Sequence, residues 1–215
     1  MIPFRLSGPV AFLLPLAVLV AAPDPREAKL LAVLSSEAGV QEKARACQEL
    51  ASIASPASVP ALAALLSHEQ LGDYARSGLE SIADPSAGAA LRKALGSLQG
   101  RQLAGAVNSL GVRREVAAVP DLQKLALDPS RGAAAEALAS LGMIGNADAA
   151  KTLQKVLADG PANLREAAGH AALEAAARLS KAGNAAAARG LLEAIGRALP
   201  NTHLAAIAKA QAARR

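Results

Sequence analysis

One pattern of residues recurs down most of the chain, and two landmarks stay in step with each other. The first landmark closes a helix-like segment, and its copies begin at Leu50, Leu79, Val107, Leu138 and, more loosely, Leu173. The second opens the next segment, and its copies begin at Val59, Gly88, Val119 and Ala150. Successive copies of the first landmark are 29, 28, 31 and 35 residues apart. Such self-similarity indicates stacked units of secondary structure, none of which buries its apolar side alone.

Each repeat unit is predicted to contain two helices. Residues three and four positions to either side of Leu50 are apolar or small, namely Ala46, Cys47, Ile53 and Ala54. This spacing is the period of a one-sided helix. Proline then interrupts the helix, because the residue before a proline is driven out of the helical region. The interruptions fall at Ser55-Pro56, Asp84-Pro85 and Asp128-Pro129, where the Ser or Asp can also cap the following helix.

The composition supports an all-α chain. Apolar residues make up 52% of the sequence, yet aromatic residues make up only 1%. Beyond residue 22, Tyr74 is the only aromatic side chain. The core must therefore consist of Leu, Val, Ile and many Ala residues. Alanine is the best helix former, whereas a β-rich fold favours β-branched and aromatic residues.

These motifs resemble the HEAT-repeat family, in its short, PBS-lyase-like variant. The resemblance covers residues 28–177 and rests on the Val59-Pro60-Ala61-Leu62 opening, the closing motif at 137–142, and Asp128 to Arg131. It implies a right-handed α-solenoid of antiparallel helix pairs, whose concave, protein-binding face is lined by the second helix of each pair. The Asp/Arg ladder between repeats that is typical of the family is clear only at Asp128 and Arg131.

Residues 1–22 have the three parts of a secretory signal peptide. Arg5 supplies the positive start, Pro9 to Val20 the apolar middle, and Val20-Ala21-Ala22 a cleavage site of small residues. The middle is too short and too interrupted by proline to span a bilayer. We therefore expect a periplasmic or secreted protein with no membrane span after cleavage. The alternative is an uncleaved N-terminal anchor, which also exports the repeats.

The remaining chain divides into three parts. Residues 23–27 are predicted to be a linker, 28–160 the HEAT-like solenoid, and 161–215 a divergent C-terminal repeat or cap. Helices are expected at 163–181, at 185–199 and from about 202 onward. The last part also resembles a degenerate tetratricopeptide unit at Ala176, Gly183, Ala188, Leu192 and Pro200. The cap is the favoured interpretation, because terminal repeats lack an outer neighbour and are atypical.

The sequence contains no recognisable catalytic or metal-binding motif. His68, His170 and His203 are far apart in the sequence and lack the spacing of metal ligands. Cys47 has no partner cysteine and is expected to pack as a small hydrophobe. Gly142 and Gly145 are both assigned to a turn that ends a helix. We therefore predict a chain that is not an enzyme and that has no catalytic residues, metal or cofactor.

Nucleic acid is excluded as a partner by charge and by aromatic content. The net charge is +5, and loss of Arg5 with the leader lowers it to +4. Five arginines give about one per repeat, but their offsets from the landmark differ, so they form no stripe: Arg45, Arg76, Arg101, Arg131 and Arg165. Binding to single strands also needs aromatic stacking residues, and only Tyr74 is present.

The candidate partner-binding face comprises the positions at −2, +1 and +2 from the first landmark, which point away from the apolar side. The predicted binding residues are Gln48, Ser77, Glu80, Asn108, Glu136 and Glu174. The +2 position adds a row of serines, namely Ser52, Ser81, Ser109 and Ser140. This polar, mildly acidic face predicts a non-catalytic scaffold that binds an unidentified protein with basic residues. The alternatives are an ordinary solvated face and, for the whole chain, an accessory or lyase-like role of the chromophore-lyase type.

Overall fold

The computed structural model describes residues 24–213, so the proposed signal peptide lies outside the described residues. Within 24–213 the chain folds into twelve α-helices and no strand. They are α1 (Pro25–Ser35), α2 (Val40–Ile53), α3 (Val59–Ala64), α4 (Gly72–Ser81), α5 (Pro85–Ala94), α6 (Gly100–Val112), α7 (Val119–Leu127), α8 (Ala134–Ile144), α9 (Ala147–Asp159), α10 (Ala162–Lys181), α11 (Ala185–Ala198) and α12 (His203–Ala213). Single-turn 3₁₀ helices occupy Pro56–Ser58, Val116–Ala118 and Pro129–Arg131.

The helices form two layers. Each odd-numbered helix packs against the even-numbered helix that follows it. Along one layer, α2, α4, α6, α8 and α10 contact one another in order. In the other layer, α3 contacts α5, α7 contacts α9, and α9 contacts α11. The chain is therefore an α-solenoid of helix pairs, as the repeated landmarks predict.

Capping residues set many of the helix boundaries. Asp84 accepts a hydrogen bond from the Ser86 amide at 2.8 Å and so begins α5. Asn146 and Asn184 cap α9 and α11 in the same way. The predicted caps at Ser55 and Asp128 begin 3₁₀ turns instead of α-helices.

One apolar core runs from α1 to α12 and consists almost entirely of leucine and alanine. The landmark residues Leu50, Leu79, Val107 and Leu138 have no exposed surface, whereas the looser copy at Leu173 is only partly buried. Each helix covers the apolar side of its neighbour. Contacts between successive repeats therefore stabilise the stack.

The structure changes two boundaries that were predicted from sequence. Residues 23–27 were assigned to a linker, yet α1 begins at Pro25 with Asp24 as its cap, and Glu27 is buried. Gly142 was assigned to a turn, but it lies inside α8. Gly145 does end α8, in the left-handed conformation with φ of 61°. The three C-terminal helices lie where the periodicity predicts them. No helix within 24–213 is long and apolar enough to cross a membrane.

Candidate partner-binding face

All six predicted binding residues lie on the even-numbered helices. Gln48 is on α2, Ser77 and Glu80 on α4, Asn108 on α6, Glu136 on α8 and Glu174 on α10. Four of the six side chains are exposed, and Glu80 and Glu136 are half-buried. The structure therefore places the set on one layer, in consecutive helices. We call the exposed side of α2, α4, α6, α8 and α10 the even face.

Two of the four serines predicted on this face are buried instead. Ser109 and Ser140 have no exposed surface, whereas Ser52 and Ser81 at the equivalent positions are exposed. The Ser109 hydroxyl donates to the Glu80 carboxylate at 2.6 Å, and the Ser140 hydroxyl to the Val107 carbonyl at 2.9 Å. Both serines thus connect successive even-numbered helices, and they are unavailable to a partner.

A chain of charged residues joins α4 to α6. Arg76 donates to the Asp73 carboxylate at 2.5 Å and to the Ser109 hydroxyl at 3.4 Å. Arg101, from α6, donates to the other oxygen of Asp73. The hydrogen bond from Arg76 is the main cause that lowers the pKa of Asp73, opposed by partial burial and supported by the charge of Arg101. Two of the five repeat arginines therefore neutralise an acid of this face instead of forming a basic stripe.

Arg113 makes a further contact between α4 and α6, at the C-terminal end of α4. Its Nη1 donates to the carbonyl oxygen of Leu79 at 2.7 Å and to that of Ile82, and its Nη2 to that of Asp84 at 3.1 Å. Carbonyls at the end of a helix have no partner within the helix. Arg113 supplies the missing donor for Leu79 and Ile82 and carries a positive charge at the negative end of the helix dipole. The Asp84 carbonyl, at the start of α5, also accepts from the Ala87 amide at 3.2 Å.

The C-terminal part of the face brings two histidines together. The rings of His170 in α10 and His203 in α12 lie 5.8 Å apart between centroids, although the sequence separates the two residues widely. The two rings meet because α12 packs against α10, which sequence spacing does not reveal. Glu174 pairs with Arg178 at 2.7 Å. Within residues 24–213, no group of three or more His, Cys, Asp or Glu side chains is arranged to hold a metal ion.

Sequence reasoning missed a buried carboxylate at the N-terminal end. Glu27 is only 2% exposed, and its Oε1 accepts from the Ser55 amide, the Ser55 hydroxyl and the Ser58 hydroxyl at 2.7, 2.9 and 2.5 Å. Burial raises the pKa of Glu27, but the three hydrogen bonds together lower the pKa below its usual value. The carboxylate therefore fixes α1 to the turn between α2 and α3. A glutamate two residues after the proline that begins a helix gives no indication in the sequence that its side chain will be buried.

Cys47 is fully buried, as its position in the repeat predicts. Burial raises the pKa of its thiol to about 11. The thiol is therefore protonated at neutral pH and is a poor nucleophile.

The layer of odd-numbered helices has grooves between its helices. They lie between α3 and α5, between α5 and α7, between α7 and α9, and between α9 and α11. The even-numbered helices approach more closely at some positions. A Cβ atom placed on Gly142 in α8 would lie 2.8 Å from the Cα and the carbonyl oxygen of Ala171 in α10.

Comparison with known proteins agrees with this architecture. The family model for HEAT repeats matches residues 89–174, from α5 into α10. Helices α1 to α4 continue the same two-layer arrangement ahead of the matched stretch. A search of curated proteins finds no match to the chain. Neither the PBS-lyase-like variant nor the tetratricopeptide resemblance at 161–215 is shown by these comparisons, and both stay predictions.

Proposed function

We propose that this chain is an exported, non-catalytic scaffold that binds a protein partner on its even face. HEAT repeats generally mediate protein–protein interactions, and their fold is usually a non-catalytic scaffold. The observation that carries the proposal is the continuity of the even face, because five successive helices contact one another and present the exposed candidate residues side by side. A preorganised surface of this kind loses little conformational entropy when a partner binds.

The spacing of the two layers supports the even face as the concave side. Even-numbered helices meet at backbone distance at Gly142, whereas grooves separate the odd-numbered helices. A stack of repeats curves because each repeat is rotated slightly relative to the last, and it bends toward the layer with the closer spacing. Concave solenoid surfaces are extended binding surfaces.

The side chains of the even face favour a weakly bound partner with basic residues. Gln48, Ser77, Asn108 and Glu136 form no hydrogen bond or ion pair with the described residues, so a partner meets unoccupied donors and acceptors. Interfaces draw most of their binding energy from Trp, Tyr and Arg, and next to these residues the 37% exposed Tyr74 and the exposed Arg45, at the equivalent position of α2, offer such side chains. The Glu80 carboxylate already accepts a hydrogen bond from the Ser109 hydroxyl, so Glu80 contributes to the contact between α4 and α6 and is less available to a partner.

A charge reversal on this face tests the proposal. Glu136→Lys replaces a negative charge by a positive one on α8 of the even face, a change of two charge units, without breaking a side-chain hydrogen bond. Glu37→Lys makes the same change in the exposed turn between α1 and α2 and serves as the matched control. Each variant is used for affinity capture from the native envelope fraction, with mass spectrometry. We expect a protein that is captured by the wild type and by Glu37→Lys but lost with Glu136→Lys. Identical captured proteins for all three would contradict binding on the even face.

Export is tested separately. The proposal rests on the three-part pattern of residues 1–22, with cleavage after Ala22. The expected mature protein begins at Pro23, outside the cytoplasm. Intact-mass measurement on protein from the native host, after fractionation, gives the result directly. A full-length cytoplasmic species would refute the export proposal and leave the binding proposal unaffected.

A further inference from the structure

A cluster of cationic side chains surrounds the groove between α5 and α7. The groove has a volume of about 330 Å³, and four cations line it, together with Asp121: Arg92, Lys93, Lys124 and Arg131. Arg92 crosses from α5 to α7 and binds the Asp121 carboxylate at 2.9 Å. Arg131 donates to the Leu95 carbonyl at 3.0 Å. We call this feature the basic groove.

The basic groove holds more positive charge than the fold requires. Arg92 and Lys93 lie in the last turn of α5 and Lys124 in the last turn of α7, where cations offset the helix dipole. Each helix C-terminus carries only about half a negative charge. Two helix ends and Asp121 therefore balance about two of the four cations. Lys93 and Lys124 are exposed, and their side chains form no ion pair or hydrogen bond with the described residues. This surplus is complementary to an anionic ligand.

An apolar groove continues directly from the basic one. It lies between α3 and α5, has a volume of about 560 Å³, and is lined mainly by Val59, Pro60, Ala63, Leu66, Ala90 and Ala94. Lys93 and Gly96 line both grooves, so the two form one path over the layer of odd-numbered helices. A small inorganic anion would fill only the basic half. A peptide that combines carboxylates with an apolar side chain would fill both halves.

We propose that this path binds an acidic segment of a protein partner. Glutamate or aspartate side chains of the segment pair with Lys93 and Lys124, and a neighbouring apolar side chain packs between α3 and α5. The inference rests on the proposed scaffold function and adds a second surface, on the opposite layer from the even face. Charge complementarity selects the acidic class of segment. The apolar groove selects a peptide over a free phosphate or a nucleic acid backbone.

The test is a binding titration with a labelled synthetic peptide that carries consecutive glutamates followed by leucines. We expect Lys93→Gln combined with Lys124→Gln to weaken binding about tenfold at moderate salt, and the affinity of the wild type to fall as salt is added. The matched control is Lys29→Gln with Lys209→Gln, which removes the same charge from exposed positions on α1 and α12. Circular dichroism confirms that both variants fold like the wild type.

Two further peptides test the basic groove and the apolar groove separately. Replacing the glutamates by glutamine is expected to abolish binding, and replacing the leucines by serine to weaken it. Equal weakening by both pairs of lysine variants would overturn the inference, since bulk charge alone would explain it. Tighter binding of a single-stranded oligonucleotide than of the peptide would also overturn it. Such failures leave the even-face proposal intact, because that proposal depends on capture with Glu136→Lys.

Discussion

Two joints between successive even-numbered helices differ in how they are made. Where α4 meets α6, charged side chains make the contact, through Arg76, Asp73, Arg101 and Arg113. Where α8 meets α10, small residues make it, because Gly142 allows the two backbones to approach. We call these the polar joint and the small-residue joint. Contacts between successive even-numbered helices thus include hydrogen bonds of charged side chains in one place and close packing of backbones in the other.

This difference determines which substitutions each joint tolerates. Long charged side chains at the polar joint can move when a neighbour changes size, and exposed ion pairs contribute little energy. At the small-residue joint the nearest atoms belong to the backbone, which cannot move without shifting the helix. The stability of the polar joint should therefore depend on charge and pH, and the stability of the small-residue joint on side-chain volume.

Leu110 provides the largest expected effect, because α6 contributes to contacts on both sides. Its side chain is fully buried. Leu110→Asp removes core volume and buries an unpaired charge, so we expect the stability to fall by about 4 kcal/mol or more. Val112→Asp is the control, since Val112 is 51% exposed in the same helix and should cost less than about 1 kcal/mol. Circular dichroism melts measure both, and an unchanged midpoint for Leu110→Asp would show that the helix register is wrong.

A pair of glycine substitutions compares the two joints directly. Gly142→Val forces a branched side chain against the backbone of Ala171, and we expect a loss of about 3 kcal/mol. The three atoms nearest to a Cβ placed on Gly105, in the polar joint, all belong to the guanidinium of Arg76, a flexible side chain that can move away. Gly105→Val should therefore change stability by less than about 1 kcal/mol, helped by a better helix propensity. Urea denaturation gives both values. Equal losses would mean that the two joints do not differ in tolerance.

The helices could be predicted from sequence because they depend on local signals. The long helix predicted at 163–181 is observed at Ala162–Lys181, and Asp84 and Pro85 begin α5 as expected. Periodicity, proline and capping residues act within a few positions of one another. The two-layer stack follows from the repeat of these signals at a regular interval.

The details of the candidate site depend on distances between helices, which the pattern does not encode. Ser81 and Ser109 occupy the same position in successive repeats, yet only Ser109 is covered by a neighbouring helix. The burial of Glu27 likewise needs the serines of a turn 28 and 31 residues away. His170 and His203 meet only because α12 packs onto α10. A residue-by-residue pattern records neither the burial of a side chain by a neighbouring helix nor its contacts with residues distant in the sequence.

The hydrogen bonds of Arg113 test the polar joint itself. Arg113→Met keeps the apolar part of the side chain but leaves the carbonyls of Leu79 and Ile82 without this donor, and that of Asp84 with the Ala87 amide alone. We expect a loss of about 2 kcal/mol, since bonds to a charged group are among the stronger ones. Arg114→Met, at the exposed neighbouring position, is the control and should be nearly neutral. If the two variants unfold at the same urea concentration, Arg113 does not hold α4 to α6.

The smallest expected effect concerns pH and separates the polar contacts from the small-residue joint. The pKa values of Glu27 and Asp73 are both lower than usual in the folded chain. A lowered folded pKa gives stability that is fully present above the unfolded pKa, about 4 for these residues, and that is lost as the pH falls through the folded value. Acid should therefore weaken α1 to α6 before it weakens α8 to α10. Hydrogen exchange followed by mass spectrometry at decreasing pH resolves the two regions.

Glu27→Gln isolates the buried carboxylate in this acid response. Glutamine keeps one acceptor oxygen but removes the charge, so the bonds from Ser55 and Ser58 weaken, and we expect a loss of about 1 kcal/mol at pH 7. At a lower pH, once the pH has fallen through the lowered folded pKa, the wild-type carboxylate takes up a proton and loses this advantage. The difference between wild type and variant should therefore shrink as the pH falls. A difference that is the same at both pH values would mean that the contact depends on shape, as the small-residue joint does, and that the charge of Glu27 adds nothing to it.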